Sequence, residues 1–224
     1  MRLTKPLLAI VLCIGAAVAL RAEDKDTGWV KLLEGGDLTK HFTTKGNWNI
    51  DKDGVVELKP RKGETGWQRY DAYLWAKQEY TNFEADFEYK VAKGGNSGVA
   101  LRTPDKGDPA YAGMEIQLLD DNHPSYAKLD FYQYTGSIYH VVPPTRRAGK
   151  PAGQWNALEV RADGRRIVVV LNGIKIVDAD LDRCLLDAAV AKEHTGLKRT
   201  TGHIGLQSHT DRVEFRNLRI KTLQ

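Results

Sequence analysis

The chain has 224 residues, of which 42% are hydrophobic and 28% charged, and it contains 21 Gly, 8 Pro and 2 Cys. This composition excludes a disordered chain, a collagen-like chain and a small domain that depends on disulfides. The 33 basic and 29 acidic residues give a formal net charge of +4, which by itself would suggest an anionic partner.

The N-terminal segment Met1–Ala22 has the three parts of a secretory signal peptide: a basic start, an apolar run at 7–20 and a small-residue end. The apolar run is too short for an ordinary membrane-spanning helix of about 20 residues. Cleavage after Ala19 or Ala22 would leave a secreted or periplasmic protein with no membrane attachment. Cleavage after Ala22 removes three basic residues and no acidic one, so 33 basic residues become 30 against 29 acidic. The nearly balanced mature chain suits a neutral sugar better than nucleic acid.

Short runs of alternating polar and apolar residues follow one another from Trp29 onward, separated by Gly, Asn, Asp and Pro. The clearest run is 83–91, where every second residue is apolar, so it predicts a strand with one buried face. Further strands are predicted at 55–58, 73–75, 97–102, 113–119, 129–134, 138–142, 155–161, 166–171, 174–177, 203–208 and 213–220. About a dozen strands require two packed sheets or a barrel, so the sequence predicts an all-β protein.

Turn signals organise the C-terminal half of the chain. Asn172-Gly173 lies between two strand runs and predicts a type I′ hairpin, because both central positions of that turn need positive φ. Asp163-Gly164 predicts a second hairpin. Only the segment 180–192 has apolar residues at helical spacing, and it predicts a short helix or a loop. Because no linker or composition break divides the rest of the chain, residues 23–224 are predicted to form one domain.

Three predicted strands carry polar or small residues at the positions that alternate with apolar ones. The residues expected on this face are Asn96, Gly98, Ala100 and Arg102, then Glu115 and Gln117, then His203, Gly205, Gln207 and His209. If the three strands lie in one sheet, these side chains form a polar patch, and the small residues among them open a groove. Such a mixture of donors and acceptors suits a sugar, whose hydroxyl groups need both. The alternative is an ordinary solvated sheet face.

Aromatic rings supply the flat apolar surface that a carbohydrate site also needs. Trp48 and Trp155 are expected to be structural. The candidates near the polar strands are Tyr111, Tyr132, Tyr134 and Tyr139. The sequence has no phosphate loop, nucleophile elbow, zinc-ligand spacing or dinucleotide fingerprint, so neither a metal nor a cofactor is predicted.

A series of motifs occurs in order along the chain: GNSGVALR at 95–102, GMEIQLLD at 113–120, TGSIY at 135–139, WN at 155–156, LNG at 171–173, GHIGLQ at 202–207 and FRNLRI at 215–220. Together, over about residues 29–223, they resemble the 3-keto-disaccharide hydrolase domain family. The resemblance implies a concanavalin A-like jelly-roll β-sandwich of two antiparallel sheets, and activity on glycosides already oxidised to a ketone at sugar C3. Family members usually carry Gln-Asp-His-Gly where this chain has Gln207-Ser208-His209-Thr210.

The implied substrate sets the chemistry. A C3 ketone acidifies the proton on C2, so a base can form an enolate that expels the aglycone from C1, and water then adds to the enone. Such an enzyme needs a base near C2 and hydrogen-bond donors at the ketone oxygen. We therefore expect His209 or Glu115 to be the base, and Arg102 with either Gln117 or Gln207 to polarise the ketone.

The residues expected to bind substrate are Asn96, Gln117, Asp120, Tyr139 and Gln207, and the expected partner is an oligosaccharide or glycoside. Two other functions stay open. One is a non-catalytic carbohydrate-binding module, because the same sandwich serves lectins and glycosidases. The other is a structural or interaction domain on a secreted surface.

Overall fold

The computed structural model describes residues 28–67, 70–209 and 212–224, so the predicted signal peptide lies outside the described residues. Within these ranges the strands are β1 Trp29–Lys31, β2 Phe42–Thr43, β3 Trp48–Ile50, β4 Val56–Leu58, β5 Leu74–Tyr80, β6 Phe83–Val91, β7 Asn96–Thr103, β8 Met114–Leu119, β9 Asn156–Asp163, β10 Arg166–Leu171, β11 Ile174–Asp180, β12 Gly202–Leu206 and β13 Val213–Thr222. The short helices are α1 Pro109–Ala112, α2 Leu181–Cys184 and α3 Ala188–Glu193. None of the helices in the described ranges has the length and apolar character needed to span a bilayer.

The strands form two antiparallel sheets. The larger has the order β11-β10-β9-β6-β13-β4-β3, with β1 paired to β13, and the smaller has the order β2-β5-β12-β7-β8. One face of each sheet packs into a common apolar core. This arrangement confirms the predicted all-β sandwich of two antiparallel sheets.

Strand β6 shows why the sheets pack in this way. Its apolar residues at 83, 85, 87, 89 and 91 are all buried, while the charged residues between them face outward. On that outer face Glu84 pairs with Arg161, and Asp86 pairs with Arg219. Each large apolar side chain buried in this way contributes about 1.5–3 kcal/mol, so alternation alone fixes which face of β6 is inside.

The hairpin predictions have different outcomes. Asn172 and Gly173 have φ values of 53° and 79°, so the type I′ turn is confirmed. The second hairpin turns one residue later than predicted, because Asp163 still pairs with Arg166 and leaves Gly164-Arg165 as the loop. The predicted helical segment 180–192 contains α2 and α3, each begun by an aspartate cap.

Two strand predictions are wrong. Residues 131–133 form a 3₁₀ turn instead of part of a strand, because Asp130 and Gln133 make a capping box around it. Residues 138–142 fold back on themselves, with reciprocal backbone hydrogen bonds between Ile138 and Val142. His140 at the tip has a positive φ of 56°, which is incompatible with a continuous strand.

The prediction that Arg102 shares the polar face is also wrong, because β7 contains a bulge. His203 of β12 pairs with Thr103, but Gly205 pairs with Ala100, so β7 has one extra residue between these pairs. Arg102 has a positive φ of 48° within this bulge. It is fully buried, and its guanidinium donates to the carbonyl oxygens of Thr81 and Gly164. Arg102 therefore ties the two sheets together.

We expect Arg102→Met to reduce stability by about 3 kcal/mol, because it removes a fully buried guanidinium together with its hydrogen bonds to the carbonyl oxygens of Thr81 and Gly164. For a domain of this size that loss lowers the melting temperature by roughly 6–12 °C, measured by thermal denaturation. Arg166→Met is the matched control, because Arg166 pairs with Asp178 on the exposed surface. This variant should have a melting temperature close to that of wild type. Equal melting of the Arg102 variant and wild type would refute the structural role.

Candidate active site

The outer face of the five-stranded sheet carries two rows of side chains, which we call the site face. Strand register places the members of each row side by side on neighbouring strands, and alternate residues of one strand share a face. The first row is Trp75, Gly205, Ala100 and Glu115. The second row, two residues further along each strand, is Tyr73, Gln207, Gly98 and Gln117.

Glu115 is the acidic group of this face, and only 4% of its surface is exposed. Its carboxylate lies across Gly98, where a Cβ atom would overlap Oε1. Oε1 accepts a hydrogen bond of 2.8 Å from Nε2 of Gln207. Burial raises the pKa of Glu115 to about 8, and the charge of Asp108 adds to the rise while the hydrogen bond from Gln207 opposes it. Once ionised, this carboxylate is a much stronger base than an exposed glutamate.

The small residues of the site face were expected to open a groove, but the structure gives them a different role. They do not form an open channel, because each is covered by a large side chain. Glu115 lies on Gly98, and a Cβ atom at Gly205 would overlap the ring of Trp75. Small residues here let a carboxylate and an indole ring lie flat against the sheet.

Two amide side chains offer acceptors to a ligand. Oδ1 of Asn96 and Oε1 of Gln207 are buried and have no hydrogen-bond partner among the described residues. An unpaired buried acceptor costs about 1–3 kcal/mol, so a ligand hydroxyl that donates to it would relieve that cost. Burial raises the pKa of the Tyr73 hydroxyl, and the nearby amide of Gln207 opposes that rise.

Gln117 and Asp120 lie along the same strand and its end. Oε1 of Gln117 accepts from the backbone N–H of Leu118, which leaves the Nε2 end of the amide as a donor. Asp120 is buried at the end of β8, where its carboxylate accepts from the N–H of Gly94 and so holds the loop that leads into Asn96. Asp120 supports the site from beside it.

His209 follows the end of β12 and lies next to Asn96. Its Nε2 is 3.3 Å from Nδ2 of Asn96, and both residues are half-buried. The structure therefore brings together five predicted residues: Asn96, Glu115, Gln117, Gln207 and His209. His203 lies on the other side of the bulge and contacts Asp105 and the carbonyl oxygen of Ala76.

An aromatic wall that the sequence reasoning missed borders one side of the site face. Tyr70 and Tyr73 both stack on Trp75, with ring centroids 4.4 and 5.1 Å away. Trp67 reaches the same group, since its Nε1 donates to the Tyr73 hydroxyl at 3.0 Å. The signal was present in the sequence: Tyr73 and Trp75 are two residues apart on a strand, so their rings share a face.

The opposite side of the site face is bordered by the segment 135–139, which runs along the free edge of β8. Its Tyr139 lies opposite Glu115, and the ring centroid of Tyr111 is 4.8 Å from that of His194. Burial raises the pKa of Tyr111, and charge on Tyr139 or Glu115 adds to the rise. Of the other tyrosine candidates, Tyr134 is buried beneath Arg147, and Tyr132 is exposed. In the described part of the chain, no three His, Cys, Asp or Glu side chains are grouped so that they could hold a metal ion.

Known proteins resemble this chain in both sequence and fold. A 3-keto-disaccharide hydrolase from Bacteroides thetaiotaomicron is 30% identical over 205 residues, with 79% of this chain and 70% of that protein covered. Crystal structures of two candidate glycosyl hydrolases from Parabacteroides distasonis have TM-scores of 0.72 and 0.73. They are 26% and 25% identical to this chain, and the matches cover 87% and 88% of it and 99% and 95% of theirs.

The match to a family model extends over nearly all of the described chain. The model of the 3-keto-alpha-glucoside-1,2-lyase-like domain covers residues 28–221, which include every residue of the site face and all of both sheets except Thr222 at the end of β13. The chain therefore belongs to the 3-keto-alpha-glucoside-1,2-lyase-like domain family.

Proposed function

We propose that this protein cleaves the glycosidic bond of glycosides whose sugar carries a ketone at C3, by elimination across C1 and C2 followed by hydration. The observation that carries the proposal is the Glu115 carboxyl, which is buried and fixed on the site face by Gln207. The activity named for the Bacteroides relative supports the substrate class. With the predicted signal peptide, the site of action would be outside the cytoplasm.

Glu115 is the proposed base. Removing a proton from carbon needs a strong base with little freedom to turn away, and a desolvated carboxylate held at 2.8 Å by an amide meets both needs. His209 was the other candidate, but it is half-buried next to Asn96, at the end of the strand. We assign His209 and Asn96 to binding sugar hydroxyls.

The ketone oxygen gains negative charge as C2 loses its proton, so it needs a hydrogen-bond donor. Nε2 of Gln117 is the proposed donor, since Oε1 of that amide is already used by the backbone. Arg102 cannot take this role, because its guanidinium binds Thr81 and Gly164. The aromatic wall of Tyr70, Tyr73 and Trp75 would pack against the apolar C–H face of the sugar.

Glu115 also completes the second half of the reaction. After the aglycone has left, water adds to C1 of the enone and C2 must regain a proton. The carboxylic acid formed in the first step is in position to return it. The sum of both steps is hydrolysis, with Glu115 restored to its starting state.

Replacing Glu115 by Gln should lower kcat by about 10²–10⁴-fold, because the amide cannot accept the C2 proton. Wild-type kcat should rise with pH through about 8, as the base ionises. Release of 3-keto-glucose measured from pH 6 to 9 tests both expectations. The variant should still bind the intact substrate, as measured by calorimetry. Full activity in the Gln variant would exclude Glu115 as the base, and binding without turnover by wild type would favour a carbohydrate-binding module.

The same variant has a stability signature that is independent of substrate. Because the folded state holds the proton on Glu115 more tightly than the unfolded state does, this residue favours folding at low pH, and that contribution is lost as pH rises through about 8. Glu115→Gln has no such pH-dependent loss of stability. The melting temperature of the variant minus that of wild type should therefore increase between pH 5 and 9. A pH-independent difference would show that the carboxyl is not desolvated.

Gly98→Ala should reduce kcat by at least about tenfold with little change in fold, because the new methyl group occupies the place where the Glu115 carboxylate lies. Gly149→Ala is the control, since its Cβ would meet open space and its backbone needs no positive φ. Circular dichroism spectra of both variants should match wild type. Unchanged turnover by Gly98→Ala would mean that the carboxylate does not act from this position.

Elimination can be distinguished from direct displacement by running the reaction in D₂O. The enone route breaks the C2–H bond and makes a new one, so the released 3-keto sugar should carry deuterium at C2 to the extent that the Glu115 carboxyl exchanges its proton with solvent before hydration, detected by mass spectrometry at early times. Product incubated with enzyme for the same time corrects for exchange after release. A substrate deuterated at C2 detects full return of the original proton, because the enone route breaks that bond and should then show a primary kinetic isotope effect. Absence of both deuterium uptake and the isotope effect would point to direct hydrolysis.

A further inference from the structure

The Tyr139 hydroxyl lies next to the proposed base and has no role in the steps above. Tyr139 N–H donates to the carbonyl oxygen of Glu115 at 2.9 Å, and Gln117 N–H donates to that of Ser137 at 3.2 Å. These two bonds put Tyr139 directly opposite Glu115 on the extra edge segment of the sheet. Residues paired in this way have Cβ atoms within about 5.5 Å and project from the same face.

The hydrogen bonds around Tyr139 set the direction of its hydroxyl proton. Gln133 is oriented by the capping box, in which its Oε1 accepts from the N–H of Asp130 at 3.4 Å. Its Nε2 therefore faces Tyr139 and donates to the phenolic oxygen, also at 3.4 Å. Across the ranges that the structure describes, the phenolic hydrogen has no protein acceptor. It is free to be donated to a bound ligand.

The elimination step needs such a donor. Departure of a sugar or alkyl aglycone as a free alkoxide is unfavourable, so its oxygen must be protonated as the C1–O bond breaks. C1 and C2 are bonded neighbours, so the acid must lie within a few ångströms of the base. Glu115 lies across Gly98 toward the middle of the sheet, and Tyr139 stands at its edge. The two groups can therefore reach neighbouring atoms of one sugar ring from different directions.

We propose that Tyr139 is the general acid that protonates the departing aglycone oxygen, an inference that rests on the proposed function. Glu115 takes the C2 proton and the C2 electron pair enters the enolate. The enolate then forms the C1–C2 double bond, the C1–O bond breaks, and its oxygen takes the Tyr139 proton. In the hydration step, water attacks C1 and gives a proton to the phenolate, while Glu115 returns its proton to C2.

The environment of Tyr139 fits both halves of this cycle. Burial raises its pKa, and the charge of Glu115 adds to the rise. The hydroxyl therefore stays protonated at neutral pH, and the phenolate is basic enough to take a proton from water. The amide of Gln133 stabilises the phenolate while it exists.

Leaving-group dependence tests the proposal. We expect Tyr139→Phe to lose about 10²-fold or more in kcat on a 3-keto-disaccharide, whose aglycone needs protonation, and less than about tenfold on 4-nitrophenyl 3-keto-glucoside, whose aglycone does not. Tyr80→Phe is the matched control: Tyr80 pairs with Gly202 at the far end of β5, so both rates should stay at wild-type values. Tyr111→Phe removes the neighbouring hydroxyl and should affect both substrates equally.

Each other outcome would contradict either the role of Tyr139 or the proposed function. An equal loss on both substrates would make Tyr139 a positioning residue, and no loss on either would remove it from the reaction. Selective loss in Tyr111→Phe, with none in Tyr139→Phe, would assign the acid to the other tyrosine. Wild type that cleaves neither substrate would refute the proposed function itself, since the acid is tested only against a wild type that turns over.

Discussion

The register of β12 is the constraint on which the site depends. This strand is hydrogen-bonded on both sides, to β5 and to β7, so a shift of one residue would send its outward side chains into the core. Ile204 and Leu206 anchor it there, since both are buried in the apolar cluster between the sheets. With that register fixed, Gln207 lies between Tyr73 and Gly98, and its amide can reach the Glu115 carboxylate. The alignment of one central strand thus determines the orientation of the acid.

The two outer faces of the sandwich use charge in opposite ways. On the larger sheet, the carboxylates of Asp86 and Glu88 form ion pairs with the guanidinium groups of Arg219 and Arg216. Water partly screens these charges. On the site face, the Glu115 carboxyl is buried and its direct partner is a neutral amide. An arginine in place of Gln207 would keep that carboxyl ionised but weaken it as a base. The choice of an amide keeps the group basic at the expense of stability.

Alternation of polar and apolar residues was sufficient to find most of the site. It placed Glu115, Gln117 and Gln207 on one face because strand geometry has a period of two, and nothing in these stretches interrupts it. It failed for Arg102, because a bulge shifts the period and alternation carries no sign of one. It also failed for residues 129–142, where the Asp130 to Gln133 capping box and the positive φ of His140 override a strand-like composition. Trp75 was missed because a tryptophan in a strand suggests the core, and only its pairing with Gly205 shows that its ring lies outside.

The bulge at Arg102 divides β7 into two parts with different surroundings. Before the bulge, Asn96, Gly98 and Ala100 lie on the site face, whereas beyond it Arg102 is buried and binds the carbonyl oxygens of Thr81 and Gly164. The extra residue between the two parts turns Arg102 out of the site face, so its hydrogen bonds are made away from the side chains of that face. A substitution at Asn96 would leave the hydrogen bonds of Arg102 in place. This separation gives the sandwich room to diversify.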